Sequence, residues 1–318
     1  MSTKPTRTMN TTRSLAAAIT LLVLATAARA QQEVMVSQYM FNGLFLNPAY
    51  AGSHPYTSAA LLHRDQWTRM DGAPTTSMLA IDGPVMGERM ALGFTLVHDR
   101  IGVSRDMEIA GQYAYRIRVS EKGRLAFGLK AGVSVYSANL NELTYWDQND
   151  AVFQSNIKNA PVGKFGFGVY YNDERSYIGL SVPTLYAADN AITSDASSAL
   201  QHYFEQHYYL NAGRVFELNE SFDLKPSVLV KVEPQAPVQA DINCNVLYKQ
   251  RLWLGAGYRT GAAVVAMLEY QVNPYLRLGY AYDMTTSRLQ AYSGASHEVM
   301  IGIDLGRDLI RIKSPRYF

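Results

Sequence analysis

Apolar and polar residues alternate with a period of two over most of this chain, most clearly from Asp106 to Ala138. Met107, Ile109, Gly111, Tyr113, Tyr115, Ile117 and Val119 form one series; Glu108, Ala110, Gln112, Ala114, Arg116 and Arg118 form the other. A tight turn, Ser120-Glu121-Lys122-Gly123, follows. The pattern then resumes, with Leu125, Phe127, Leu129, Ala131, Val133 and Val135 set against Ala126, Gly128, Lys130, Gly132, Ser134 and Tyr136. Period two sends successive Cβ atoms to opposite faces, so the stretch predicts a hairpin of two strands. Each strand runs to about a dozen residues, against roughly five or six in an ordinary sheet. A strand of about 9–11 residues tilted at roughly 45° crosses a bilayer. A continuously apolar face backed by a charged and glycine-bearing one is the pattern of an outer-membrane barrel, apolar toward lipid and polar toward the lumen. An antiparallel sandwich also alternates, and this hairpin alone leaves both open.

The rest of the chain separates them. Candidate strands fall at about 56–65, 75–82, 89–99, 106–118, 124–137, 163–172, 175–182, 206–216, 222–231, 238–247, 251–258, 263–270, 275–282 and 297–305. The even-numbered connections (83–88, 119–123, 173–174, 217–221, 248–250 and 271–274) are all short. The long ones (138–162, 183–205 and 283–296) are all odd-numbered. A barrel with both termini in the periplasm sorts its loops in this way, and a sandwich has no reason to. The sequence therefore predicts an all-β fold: a transmembrane antiparallel β-barrel of about fourteen strands spanning 56–305. Pro226 falls inside a predicted strand on the lipid face; it removes a ladder bond, so a bulge or local edge is expected there.

Residues 1–30 read as a cleaved signal peptide. Lys4, Arg7 and Arg13 precede an apolar run from Leu15 to Ala28, and Ala28-Arg29-Ala30 is a small-x-small cleavage site leaving Gln31 first. No cysteine follows it, which excludes lipoprotein processing. Between the signal and the barrel, 31–55 does not alternate cleanly and carries turn signals at Asn47-Pro48 and Ala51-Gly52-Ser53. It reads as an ordered element, either a lumenal plug or a docking element on the periplasmic side. A plain lead-in peptide is the simpler alternative. Residues 306–318 form a basic tail, with Arg307, Arg311, Lys313 and Arg316 opposed by Asp308 alone. It is a solvated tail or a partner contact.

Composition narrows the chemistry. A formal net charge of +2 gives no electrostatic case for nucleic acid. The single cysteine, Cys244, rules out an intramolecular disulfide and reads as a buried small apolar residue. The six histidines, His54, His63, His98, His202, His207 and His297, show no metal-ligand spacing. His202 and His207 lie near a loop end and read as exposed or lumenal. His98-Asp99 and His297-Glu298 are fragments of a possible catalytic set, but alternation points the two members of each pair to opposite faces. No catalytic residue, metal site or cofactor is predicted. Lumen-facing charge is plentiful: Arg116, Arg118, Lys130, Lys225, Lys231 and Arg277, with Glu108, Glu269 and Asp304. These charges fit either an internal network or a pore for small solutes.

Ordered blocks of sequence carry a resemblance. Ser37-Gln38-Tyr39-Met40-Phe41-Asn42 with Asn47-Pro48-Ala49-Tyr50-Ala51-Gly52 resembles the N-terminal signature of the PorP/SprF family of type IX secretion outer-membrane proteins. Arg64-Asp65-Gln66-Trp67, followed by Gly72-Ala73-Pro74-Thr75-Thr76, is similar to the family's next block. Lys225-Pro226-Ser227, Asp241-Ile242-Asn243, Gly257-Tyr258-Arg259 and Gly279-Tyr280-Ala281-Tyr282-Asp283 resemble later ones. Ser293-Gly294-Ala295-Ser296-His297-Glu298 resembles the last, with Ala295 as a local departure. The resemblance implies a non-enzymatic component of the type IX secretion and gliding machinery in the outer membrane of a Gram-negative bacterium. The partners it implies are periplasmic ring or peptidoglycan-binding components, or a large secreted adhesin, besides outer-membrane lipid. The candidate partner-binding residues are Tyr39, Asn42, Asn47, Pro48 and Gly52 in the N-terminal element, and Arg64, Gln66 and Trp67 at the outer rim of the first hairpin.

Overall fold

The computed structural model describes residues 35–85, 87, 89–142, 156–189, 206–234 and 236–306. The signal peptide, the basic tail beyond Gly306, the loop segments 143–155 and 190–205, and His202 lie outside the described residues. The period-two segments all form strands: β1 (Thr57–Asp65), β2 (Thr75–Pro84), β3 (Met90–Ile101), β4 (Ser104–Arg118), β5 (Arg124–Ala138), β6 (Ile157–Asn172) and β7 (Ser176–Asp189). Strand β8 comes in two pieces, Tyr208–Arg214 and Phe216–Asn219. Then follow β9 (Phe222–Val232), β10 (Gln239–Tyr248), β11 (Leu252–Arg259), β12 (Ala263–Gln271), β13 (Leu276–Thr285) and β14 (Ser296–Leu305). Each strand pairs antiparallel with its sequence neighbours, and β1 pairs with β14 from Thr57↔Leu305 to Asp65↔His297, closing a fourteen-stranded barrel.

The outward face is apolar and the inward face polar. Leu61, Ile109, Leu129, Leu180, Ile242 and Ile301 are exposed, while Arg64, Glu108, Lys225, Arg277 and Glu298 are buried. A soluble protein has the reverse arrangement; only lipid around the wall makes this one stable. Among the described residues no helix is long and apolar enough to cross a membrane, and the strands do the crossing. The long connections lie at one end, which loop length marks as the outside, and the short turns lie at the other. Buried charges are paired with neighbours along the lumen wall. Arg277 bonds Glu269 at 2.9 Å and Asp304 at 3.3 Å, and Lys164 bonds Glu108 at 2.8 Å. Arg118 departs from the expected lumenal set: it is exposed, and its guanidinium donates to the carbonyls of Ser120 and Glu121 in the adjoining turn.

Several local expectations change. Strands β6 and β7 run past their predicted outer limits at 163 and 182. Their register shifts between Phe165 and Phe167, where Gly166 packs against Pro183, so the alternation breaks although the pairing continues. Pro226 lies where the ladder passes from one piece of β8 to the other, a local break of the expected kind. Cys244 is exposed, not buried: its partner across the ladder is Pro226, on the lipid side. His207 is buried and lumenal, one of the two placements expected of it, 3.1 Å from Glu233. His98 is exposed and Asp99 buried, so that pair does face opposite ways.

Candidate functional site

Residues 35–56 run down the inside of the barrel from the long-loop end to the turn end, where Thr57 opens β1. The segment is three short 3-10 turns, Tyr39–Phe41, Gly43–Phe45 and Pro48–Tyr50, each too short to bury a face by itself. Two of them are capped from within. The Asn42 side chain accepts from Leu44 N, and that of Asn47 accepts from Ala49 N ahead of Pro48 at the first helical position.

At the outer end the segment is held by charge. The Glu298 carboxylate accepts from the backbone N–H groups of Ser37 and Gln38, each at 2.8 Å. The Ser37 hydroxyl donates to Asp283 at 2.8 Å. Arg64 bridges the two acids, at 2.6 Å from Asp283 and 3.0 Å from Glu298, and Arg259 pairs with Asp241 at 2.9 Å beside them. All five charged groups are buried. Opposite charges at these distances compensate the desolvation that burial imposes on each.

Midway, Asn243 donates to the Tyr39 hydroxyl at 2.6 Å, and Phe41 meets Trp253 with ring centroids 6.3 Å apart. Lys225 Nζ donates to the Met40 carbonyl at 3.3 Å and lies over the Tyr177 and Trp253 rings. At the inner end the hold is close packing, with hydrogen bonds to the wall added to it. Ala91, Ala114, Gly128, Gly168 and Ser181 are successive partners across β3–β7, one ladder row of small residues on the lumen face. The chain lies along that row. A Cβ on Gly128 would overlap the backbone of Ala49, and one on Gly168 would overlap the Asn47 side chain. Asn47 Nδ2 donates to the carbonyls of Val169 and Leu180, and Ser181 Oγ donates to the Leu46 carbonyl at 2.6 Å. Gly52, at φ +66°, turns the chain against Ala91 and donates its N–H to Asp82 at 2.8 Å.

The predicted site residues therefore fall into two groups. Tyr39, Asn42, Asn47, Pro48 and Gly52 are all buried in the lumen. Arg64 is buried at the top of the segment, while Gln66 and Trp67 are half-buried above it. Gln66, Trp67, Thr76, Asp99, Ser296 and Met35 line an open cavity of about 490 Å³ at the long-loop mouth, with Arg64, Arg259 and Asp283 as its floor. Trp67 adopts φ +51°, a left-handed conformation that costs a bulky residue roughly 1–3 kcal/mol. It is held there by bonds from its N–H to Ser296 Oγ and from Thr68 N to the Ala295 carbonyl. Met35, the first described residue, is at this outer mouth, opposite the side on which the sequence reading placed the mature N-terminus. Sequence reasoning missed Glu298, Asp283 and Arg259 as holders of the segment, and also the row of small residues. Among the described residues no cluster of His, Cys, Asp or Glu could hold a metal ion.

Solved structures similar to this one are outer-membrane barrels. The TodX monoaromatic hydrocarbon channel (deltaS2 mutant) is 10% identical, with a TM-score of 0.46, over 82% of this chain and 92% of that one. Omp33 of Acinetobacter baumannii is 6% identical, with a TM-score of 0.44, over 79% and 99%. The KdgM porin is 12% identical, with a TM-score of 0.36, over 77% and 98%. No curated protein matches the chain. The family model for the type IX secretion system membrane protein PorP/SprF matches residues 28–303, nearly the whole barrel together with the segment inside it, and the chain belongs to that outer-membrane family.

Proposed function

We propose that this outer-membrane component serves secretion or surface attachment of cargo proteins as a positional element without catalysis. The observation that supports this reading most is the filled lumen under a built outer mouth. The segment 35–56 occupies the barrel's length, and Trp67, held in a strained conformation, borders a recess that opens outward from it. Strained residues persist where the surroundings over-determine them, often at sites of recognition. In this reading a large secreted adhesin or another cargo meets the outer mouth at Gln66 and Trp67, and the turn end faces periplasmic ring or peptidoglycan-binding components. Tyr39, Asn42, Asn47, Pro48 and Gly52 act from within, by anchoring the segment along the lumen beneath the mouth.

The test is an affinity pull-down from gently solubilised outer membranes, read by mass spectrometry, with wild type and Trp67→Ala in parallel. The expected result is recovery of secretion-machine proteins or a single large exported protein by wild type, with loss of the outer-face partner from the variant and no change in barrel heat-modifiability. A barrel recovered alone in several mild detergents, with stable conductance in planar bilayers, would overturn the proposal in favour of a solute channel.

A further inference from the structure

The outward wall at the first hairpins carries an ordered step from apolar to cationic. One ladder row, Ile301–Leu61–Leu79–Leu96–Ile109, is apolar across β14 and β1–β4. The next outward-facing row toward the long-loop end passes through His63, Ser77 and His98. The row beyond it reads His297–Asp65–Thr75–Arg100–Arg105. The middle row is apolar on either side of this stretch, at Val299 on β14 and at Met107 and Val135 on β4 and β5, while the upper row passes from Arg105 to Ser137 on β5. The polar step is therefore local to one side of the barrel.

Its charge is uncompensated. Arg100 and Arg105 are exposed and directly opposite each other beside the Gly102–Val103 turn. Like charges in that position repel. Among the described residues neither guanidinium has an ion-pair partner. The neighbouring acids, Asp99 and Asp106, face the lumen, where they accept from Thr76 and Ser134. Asp65, the acid of the outward row, sits 3.4 Å from His63. Two unpaired guanidinium forks above a row of leucines and isoleucines match an amphiphile whose phosphate sits over its acyl chains. An acidic soluble protein would match the upper rows but have no use for the leucines.

We propose that this face, centred on Arg100 and Arg105, binds the phosphate of a phosphorylated glycolipid of the outer leaflet. The full chain would be placed in phosphatidylcholine nanodiscs containing diphosphorylated lipid A or its dephosphorylated form, and retained lipid read by native mass spectrometry. Wild type should retain the phosphorylated form at least about tenfold better. Arg100→Gln/Arg105→Gln should abolish that preference, while Arg118→Gln/Lys122→Gln at the turn end should leave it intact. Equal retention of the two forms by wild type would overturn the proposal, as would an unchanged preference in the double variant. Should the double variant fail to fold, the single variants Arg100→Gln and Arg105→Gln replace it, each expected to weaken the preference, and an unchanged preference in both overturns the proposal. Capture of an acidic protein by this face, with no preference between the lipids, also counts against it.

Discussion

The lumenal segment is held by two different kinds of force at its two ends. At the outer end, Arg64, Asp283, Glu298, Asp241 and Arg259 fix Ser37 and Gln38 through buried charge and directed hydrogen bonds. At the inner end, Asn47–Gly52 rests on a row of small residues whose lack of bulk makes room for the backbone. A charged hold is strong only while every member is present, because each missing partner strands another charge in a dry site. A steric hold is indifferent to any one polar group but intolerant of added volume. The two ends should therefore fail under opposite kinds of substitution.

The largest effect is expected from Arg64→Ala, which leaves Asp283 and Glu298 buried and facing each other, a loss of about 3–5 kcal/mol. Urea unfolding of the barrel in detergent would measure it. Adding Glu298→Gln to Arg64→Ala should recover part of the loss; no recovery would mean that the acids are not the source of the cost. Next comes Gly128→Val, which sets a branched side chain into the Ala49 backbone and should cost about 1–3 kcal/mol or expel the segment. Accessibility of a cysteine placed at Ala49 to an aqueous maleimide distinguishes the two results, and an unreactive, fully stable variant would show the trough to be wider than described. Smallest is Asn47→Ala, which removes one cap and two backbone contacts, worth roughly 1–2 kcal/mol together. The same urea midpoint reads it; a loss as large as that of Arg64→Ala would erase the contrast between the ends.

The barrel was legible because period two survives in almost every strand, and loop lengths sort by parity. It became illegible where a bulge reset the alternation, as at Gly166 and Pro183, and where β8 is interrupted opposite Pro226. The lumenal route was half legible. Asn42 and Asn47 are visible as caps, but nothing local says which wall a non-alternating segment lies against. The signal that could have told was the alignment of Ala91, Ala114, Gly128 and Gly168 in one row, and that alignment exists only once the register of four strands is known. Cys244 shows the same limit in reverse. A small apolar residue in a strand is buried in a soluble protein, whereas in a membrane barrel the same character fits the lipid side.

The closing seam between β1 and β14 has a consequence for how the molecule is made. Because Met35 is at one mouth and Thr57 begins β1 at the other, the chain passes through the ring that its own later strands complete. Such a segment can enter after the seam has zipped only if the end of the chain is threaded lengthwise through the lumen. A wall that curls around a chain already laid across it avoids that threading, with the row from Ala91 to Ser181 as the bed and the Glu298 edge arriving last. The final ladder to form is then also the clasp: Glu298 on β14 and Arg64 on β1 meet across the seam and over Ser37 in the same event. On that route, closure of the barrel and capture of its contents are one step of assembly.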